Sequence, residues 1–275
     1  MKNWVIVLIL GFAFISCNQD NDNKNSNTGN KNSDQPQKDI KITVDSDNFE
    51  SFVRRKVESN LKIDASENYD LKIIEAYLDK DTLKDALILI NREEFAIKKA
   101  KKEDKEKILK SFGYTATENY VYVFRGASQK VLTTPGIGSS IYHMLEAGLG
   151  ELTSPGQNDF WVDYRFRNSM FRNYYTMRGD KLFLTLNCPI FDNIGEQEPD
   201  AYFIEHREVE ARISKDIAIY EGGILNYDPS KIEDTYNFTP DSIVKKDDVF
   251  VYFIFDPSRN KFVTPMKPKD EEETL

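Results

Sequence analysis

Residues 160–167 read Phe160-Trp161-Val162-Asp163-Tyr164-Arg165-Phe166-Arg167. Successive side chains of a strand point to opposite faces, so Phe160, Val162, Tyr164 and Phe166 share one face. Trp161, Asp163, Arg165 and Arg167 share the other. A period of two with this aromatic content predicts a half-buried β-strand. Next come Phe171–Met177 and Lys181–Leu186, two further strand-like runs around Arg178-Gly179-Asp180, which predict a hairpin. The same reading extends outward to Tyr202–Ile213, Ile217–Tyr220, and a hairpin of Val249–Phe255 with Lys261–Thr264 across Asp256-Pro257-Ser258. Upstream, Tyr120–Arg125 and Lys130–Thr133 form a hairpin around Gly126-Ala127-Ser128, and residues 136–156, with five glycines, read as loop with short strands. Phe124 and Phe255 are each followed six residues later by a Lys-x-x-Thr strand, an echo that shared turn rules explain better than duplication.

The helical pattern is confined to the start of the body. In Asn48–Leu61, Phe49, Phe52, Val53, Val57 and Leu61 fall on one helical face, with Asp45, Ser46 and Asp47 as N-cap candidates. Strand-like runs follow at Leu71–Leu78 and Ala86–Asn91, and residues 93–112 read as one solvated helix ending at Gly113. The expected fold is α+β, mainly antiparallel β with two helices in the N-terminal part of a single body, residues 40–266. A division near 115–135 has no linker-like composition to mark it, and residues 267–275 form a charged tail.

The chain has 275 residues, 40% of them hydrophobic, enough to bury a core without staples. A formal charge of −9 argues against nucleic acid, where affinity comes from neutralising phosphates, and disfavours docking of the body on an anionic bilayer. Only two cysteines occur, Cys17 and Cys188. Cys188 lies in a strand-like run and reads as a small buried hydrophobe.

Lys2 precedes an unbroken apolar run, Trp4 to Ile15, that includes one glycine. As a helix those residues span about 18 Å, too short for a permanent membrane crossing, so residues 1–16 read as a signal peptide. Phe14-Ile15-Ser16-Cys17 resembles the lipobox of bacterial lipoproteins, with Phe14 in place of the usual leucine. The resemblance implies cleavage after Ser16 and a diacylglycerol thioether on Cys17, which leaves Cys188 without an intrachain partner. Stable membrane anchoring follows from several acyl chains. By analogy with enteric-type sorting, Asn18 in place of aspartate implies the outer membrane. Asp20 and Asp22 look similar to surface-export signals, which tips the expectation slightly toward the cell surface over the periplasmic face. Residues 17–39 then form the lipidated N-terminus and a tether with seven asparagines and no aromatic, Val, Ile, Leu or Met residue after Cys17. Its r.m.s. reach is about 25 Å.

Two clusters carry candidate binding chemistry. Asp79-x-Asp81-x-x-x-Asp85 lies between two strand-like runs. It resembles the calcium loop of FG-GAP-like repeats, which implies a hard cation held by Asp79, Asp81 and Asp85. Tyr77 and Thr82 stand where that family has an acid and a glycine, and a single copy builds no propeller. The alternative is a polar hairpin loop. The second cluster is Trp161, Arg165, Arg172 and Tyr174, a platform on which a sugar ring stacks or a guanidinium grips an anion. Its alternative is a solvated sheet face with cross-strand cation–π pairs.

Other patterns carry less. Gly136-Ile137-Gly138 lacks the third glycine of a dinucleotide fingerprint, and Arg178-Gly179-Asp180 reads as a turn. His143 with Glu146, and His206 with Glu208 and Glu210, are too few histidines for a convincing metal site. No nucleophile elbow occurs. The expected function is a non-enzymatic envelope lipoprotein that binds a glycan, a peptide or a partner protein. The alternatives are a lipid-anchored hydrolase with a carboxylate pair, and a structural subunit of an outer-membrane assembly. No cofactor is expected beyond calcium at the acidic loop.

Overall fold

The computed structural model describes residues 46–114, 117–193, 199–232, 234 and 238–265. The expected signal peptide, Cys17, the expected tether and the expected charged tail lie outside them. The order of elements is α1 (Ser46–Leu61), β1 (Asp70–Ala76), β2 (Asp85–Asn91), α2 (Glu93–Lys102), α3 (Glu106–Phe112), β3 (Asn119–Arg125), β4 (Lys130–Thr133), β5 (Glu146–Gly150) and β6 (Asp159–Phe166). Then follow β7 (Ser169–Arg178), β8 (Lys181–Asp192), β9 (Asp200–Arg207), β10 (Asp216–Ile224), a 3₁₀ turn (Pro229–Lys231), β11 (Ile243–Asp256) and β12 (Lys261–Val263). The fold is therefore mostly antiparallel β, with its α-helices before residue 113.

The strands make two meanders. β1 to β4 form one sheet in sequence order, and β5 to β12 form a second, also in sequence order. The faces are those the alternation predicts. Phe160 and Val162 of β6, with Tyr175 and Met177 of β7, bury against Leu87, Leu89, Val121 and Val123 of the first sheet. The other face of the first sheet, Ile88, Ile90, Tyr122 and Phe124, is covered by Val53 and Val57 of α1. Each such side chain is worth roughly 1.5–3 kcal/mol of burial. β2 has apolar side chains on both faces because it is covered on both sides.

The second sheet folds back on itself. Trp161 and Tyr174, from β6 and β7, pack in one cluster with Ile217 and Ile219 of β10 and Phe255 and Phe262 of the last hairpin. β8 makes this possible. It pairs with β9 only at Phe191↔Ala201 and Asp192↔Asp200, and its earlier half runs free of β9. Between those halves the register shifts from Met170↔Phe191 to Phe171↔Pro189, so Ile190 is bulged. A proline has no N–H for a ladder and a bulge bends its strand, so Pro189-Ile190 turns the sheet where pairing lapses.

Three details differ from the sequence reading. Residues 93–112 form two helices, because Asp104 adopts a left-handed φ of 56°. Lys105 N–H then bonds Ala100 C=O at 2.8 Å and Asp104 N–H bonds Lys101 C=O at 3.4 Å, a Schellman stop without glycine. The second stop, at Gly113 with φ 75°, is where it was expected. β9 ends at Arg207 rather than Ile213. β11 begins at Ile243, six residues before the apolar run, because Lys245, Lys246, Asp247 and Asp248 hid it. Its ladder with β10 jumps from Tyr220↔Val249 to Gly222↔Lys245, so residues 246–248 are bulged and exposed. Bulges and mixed charge blunt an edge that β12 covers only at 254–256.

Candidate functional site

The acidic loop between β1 and β2 does converge, but on an arginine. Asp85 opens β2 with no exposed surface, and its carboxylate accepts Leu78 N–H and Gly126 N–H, both at 2.9 Å. Gly126 is required there, since a Cβ would lie 2.3 Å from the Lys84 carbonyl oxygen. Desolvation by burial raises the Asp85 carboxyl above its ordinary range. Arg125, at the end of β3, places its guanidinium among the three aspartates. Nη2 pairs with Asp79 and lies 3.6 Å from Asp81, and Nε lies 3.8 Å from Asp85. Nη1 donates to the Gly179 carbonyl at 2.5 Å and reaches Asp180 at 3.4 Å. The chain's own cation thus sits between the carboxylates for which the sequence suggested calcium. Asp79 and Asp81 also line a cleft of about 420 Å³ with Gln157, Met177 and Arg178. Among the described residues no set of three or more His, Cys, Asp or Glu is placed to hold a metal ion.

The Arg178-Gly179-Asp180 turn belongs to the same assembly. Arg178 donates to Thr153 Oγ1 at 3.0 Å, and Asp180 pairs with Lys130 at 2.8 Å. Both charged ends of the tripeptide are therefore engaged within the fold.

Of the four proposed platform residues, three come together and one leaves. Trp161 and Tyr174 are cross-strand partners, as are Asp163 and Arg172. Arg172 binds Asp163 in a bidentate fork at 2.6 and 2.7 Å. Its guanidinium also stands 5.2 Å from the Trp161 ring centre and 5.8 Å from that of Tyr174. Burial works against the Arg172 charge, but the Asp163 hydrogen bond holds its pKa above the usual arginine value. The indole lies across Gly148 of β5, where an added Cβ would stand 2.3 Å from Trp161 Cε2. Gly148→Ala is therefore expected to cost about 1–3 kcal/mol, read as a lowered urea midpoint. An unchanged midpoint would show that the indole does not rest on that glycine.

Arg165 sits on the same face at the far end of β6 and is buried. It donates to the Phe238 carbonyl at 2.5 Å and to Thr239 Oγ1 at 2.8 Å, clamping the long β10–β11 connection. Arg167 falls in the β6–β7 turn, φ 56°, and covers the Phe112 ring at 4.5 Å.

Two members of this cluster were not placed in it by the sequence reading. Asp163 was assigned to the correct face but given no role. His206, from β9, crosses the fold, sharing a 2.9 Å hydrogen bond with Tyr174 Oη and meeting the Trp161 ring edge-on at 5.0 Å. Burial, then the Arg172 and Lys215 charges, lower its pKa to about 4, so it is neutral near pH 7. Glu208 lies past the end of β9 and pairs with Lys215, so it does not join His206. Cys188, opposite Arg172, is buried, which pushes its thiol up to about 12 and fits the small-hydrophobe reading. His143 turns inward against Ser140 Oγ at 3.2 Å.

A second cleft, about 440 Å³, lies in the β10–β11 connection, a stretch to which the sequence reading gave no role. The one legible signal was Asp228-Pro229-Ser230, the twin of Asp256-Pro257-Ser258. In both, the aspartate accepts the serine N–H and hydroxyl, at 3.1 and 2.6 Å in the first and 2.9 and 2.6 Å in the second. Three aspartates line this cleft, Asp228, Asp234 and Asp241. Its hydrogen bonds to Ser230 hold the Asp228 carboxyl below the ordinary range, the opposite of what a general acid needs.

Comparison with protein-family models, with curated proteins and with solved structures finds no match to this chain.

Proposed function

We propose that this protein is a lipid-anchored binding protein of the bacterial cell envelope, and that its ligand is a glycan held at the Trp161–Asp163–Arg172 face. The carrying observation is the Asp163–Arg172 fork lying against the Trp161 and Tyr174 rings, with Asp163 and Arg172 still 15% and 18% exposed. A lone arginine on such a face would select an anion. With its fork already occupied by Asp163, the pair is neutral and offers acceptors and donors to hydroxyl groups, while the uncovered part of the half-buried indole offers an apolar edge to a sugar ring. The anchor at Cys17 and the outer-membrane location rest on the lipobox resemblance and on the polar stretch that follows it.

The full-length protein in detergent, applied to an array of neutral and anionic glycans, tests the binding. Selective retention of neutral glycans is expected, weakened about three- to tenfold in Trp161→Phe. Retention of anionic glycans alone, or none, would count against the proposal. Hydrolysis of an array glycan would support the carboxylate hydrolase instead. For the anchor, Cys17→Ala is expected to move the protein from the membrane to the soluble fraction.

A further inference from the structure

The cleft in the β10–β11 connection is built for a different ligand chemistry from the Trp161 face. Its apolar walls are Ile224, Leu225, Tyr227, Ile232 and Phe238, and the exposed Asp241 is among the polar residues that complete the lining. Tyr227 and Phe238 meet at 5.7 Å and 65°, which makes an aromatic corner. Phe238 is also set edge-on against Phe191 of β8 at 5.7 Å. Buried Arg165 holds the Phe238 carbonyl with one bond and the neighbouring Thr239 hydroxyl with the other, so the corner is anchored to the rest of the fold. Leu225 is 52% exposed although it lines the cleft.

The charged residues that line the cleft are three aspartates and Lys231, a net negative set. Asp228 is committed to Ser230 and Lys231, the latter at 2.9 Å. The exposed Asp241 carboxylate makes no hydrogen bond or ion pair among the described residues. Aromatic faces attract cations, aliphatic walls suit a methylene stem, and a solvated carboxylate at the mouth attracts positive charge. A volume of about 440 Å³ is within the range of small-ligand sites.

We propose that this cleft binds a cationic group on an apolar stem, the chemistry of an arginine or lysine side chain of a partner polypeptide or of a free alkyl amine. The cation lies over the Tyr227–Phe238 corner, its stem runs along Ile224, Leu225 and Ile232, and Asp241 faces its charge.

The test uses full-length protein in detergent with ¹³C-labelled isoleucine and leucine methyls, titrated with three probes: acetyl-Ala-Arg-Ala-amide, its citrulline analogue and agmatine. Citrulline keeps the shape of arginine and removes the charge. Saturable shifts of the Ile224, Leu225 and Ile232 methyls are expected with the arginine tripeptide, at least fivefold tighter than with the citrulline analogue. Asp241→Asn, at an exposed position, should weaken the arginine tripeptide at least threefold and leave the remaining methyl spectrum unchanged. Equal affinity for arginine and citrulline, no shift at these methyls, or an unaltered affinity in Asp241→Asn would overturn the proposal. Agmatine binding more tightly than the tripeptide supports cation recognition and assigns it to a free amine. The reverse order assigns it to a polypeptide side chain.

Discussion

Replacing Arg125 with methionine is expected to lower the stability of the body by about 3 kcal/mol. The substitution keeps most of the aliphatic stem, so the loss is electrostatic and not a simple cavity. Asp79, Asp81 and Asp85 would be left facing one another, and the Gly179 carbonyl would lose its guanidinium donor. Part of the full penalty for breaking a buried pair is relieved because Asp79 and Asp81 keep some solvent. Urea denaturation of both proteins near pH 7 measures it. Acid separates this cause from lost packing: burial raises the Asp85 carboxyl, so it takes up its proton early as the pH is lowered, and the difference between the proteins should then shrink. A difference that holds constant as the pH falls through the Asp85 titration would show that Arg125 acts by packing. Calcium provides the second arm. With the guanidinium gone, millimolar calcium should restore part of the stability of the variant, by the mass-action effect of a ligand bound only to the folded state. The wild-type protein, whose carboxylates already face an arginine, should shift less. Equal calcium shifts in the two proteins would mean that the ion acts elsewhere.

The second large effect is at His206. Its pKa in the folded protein is lowered to about 4, against 6.5 for an unperturbed histidine. As the pH falls through that interval the unfolded chain takes up a proton before the folded one does. The contribution is fully present above pH 6.5 and is lost as the pH falls toward 4, up to about 3 kcal/mol. The cause is local. The ring is enclosed by Trp161 and Tyr174, and the groups that face it with charge, Arg172 and Lys215, are both positive. His206→Gln keeps a partner for the Tyr174 hydroxyl and removes the titration, so it should flatten the slope of stability against pH between 6.5 and 4. His143, also lowered by burial, leaves a residual slope in both proteins. Identical slopes in wild type and variant would refute the assignment.

Local chemistry decided much of this protein without help from the fold. The period-two runs at 160–167 and 171–177 mark which side chains face inward, because alternation is a property of the strand itself. The stop at Gly113 and the turn at Gly179 need only a residue that tolerates positive φ. The apolar run before Cys17 and the resemblance to a lipobox are likewise local signals. Where charge replaced the apolar pattern, as at Lys245–Asp248, the strand was illegible, since an edge strand held from one side has no buried face to mark it. Asp104 hid the break between α2 and α3 for a related reason: non-glycine residues seldom stop a helix in a left-handed conformation.

Partnership was what only the tertiary structure decided. Asp79, Asp81 and Asp85 announce that a positive charge belongs among them, but Arg125 is 40 or more positions away in sequence and no spacing rule links them. Arg165 and Arg172 look equivalent on the page. One became a clamp for Phe238 and the other a fork for Asp163, because the long connection returns beside only one of them. His206 joined Trp161 and Tyr174 because the second sheet folds back where β8 leaves β9. The alternation of 160–167 thus determined which face each side chain would occupy. What each meets there depended on long-range packing, because a strand's pleat is set by its own backbone while its neighbours are set by where the rest of the chain returns.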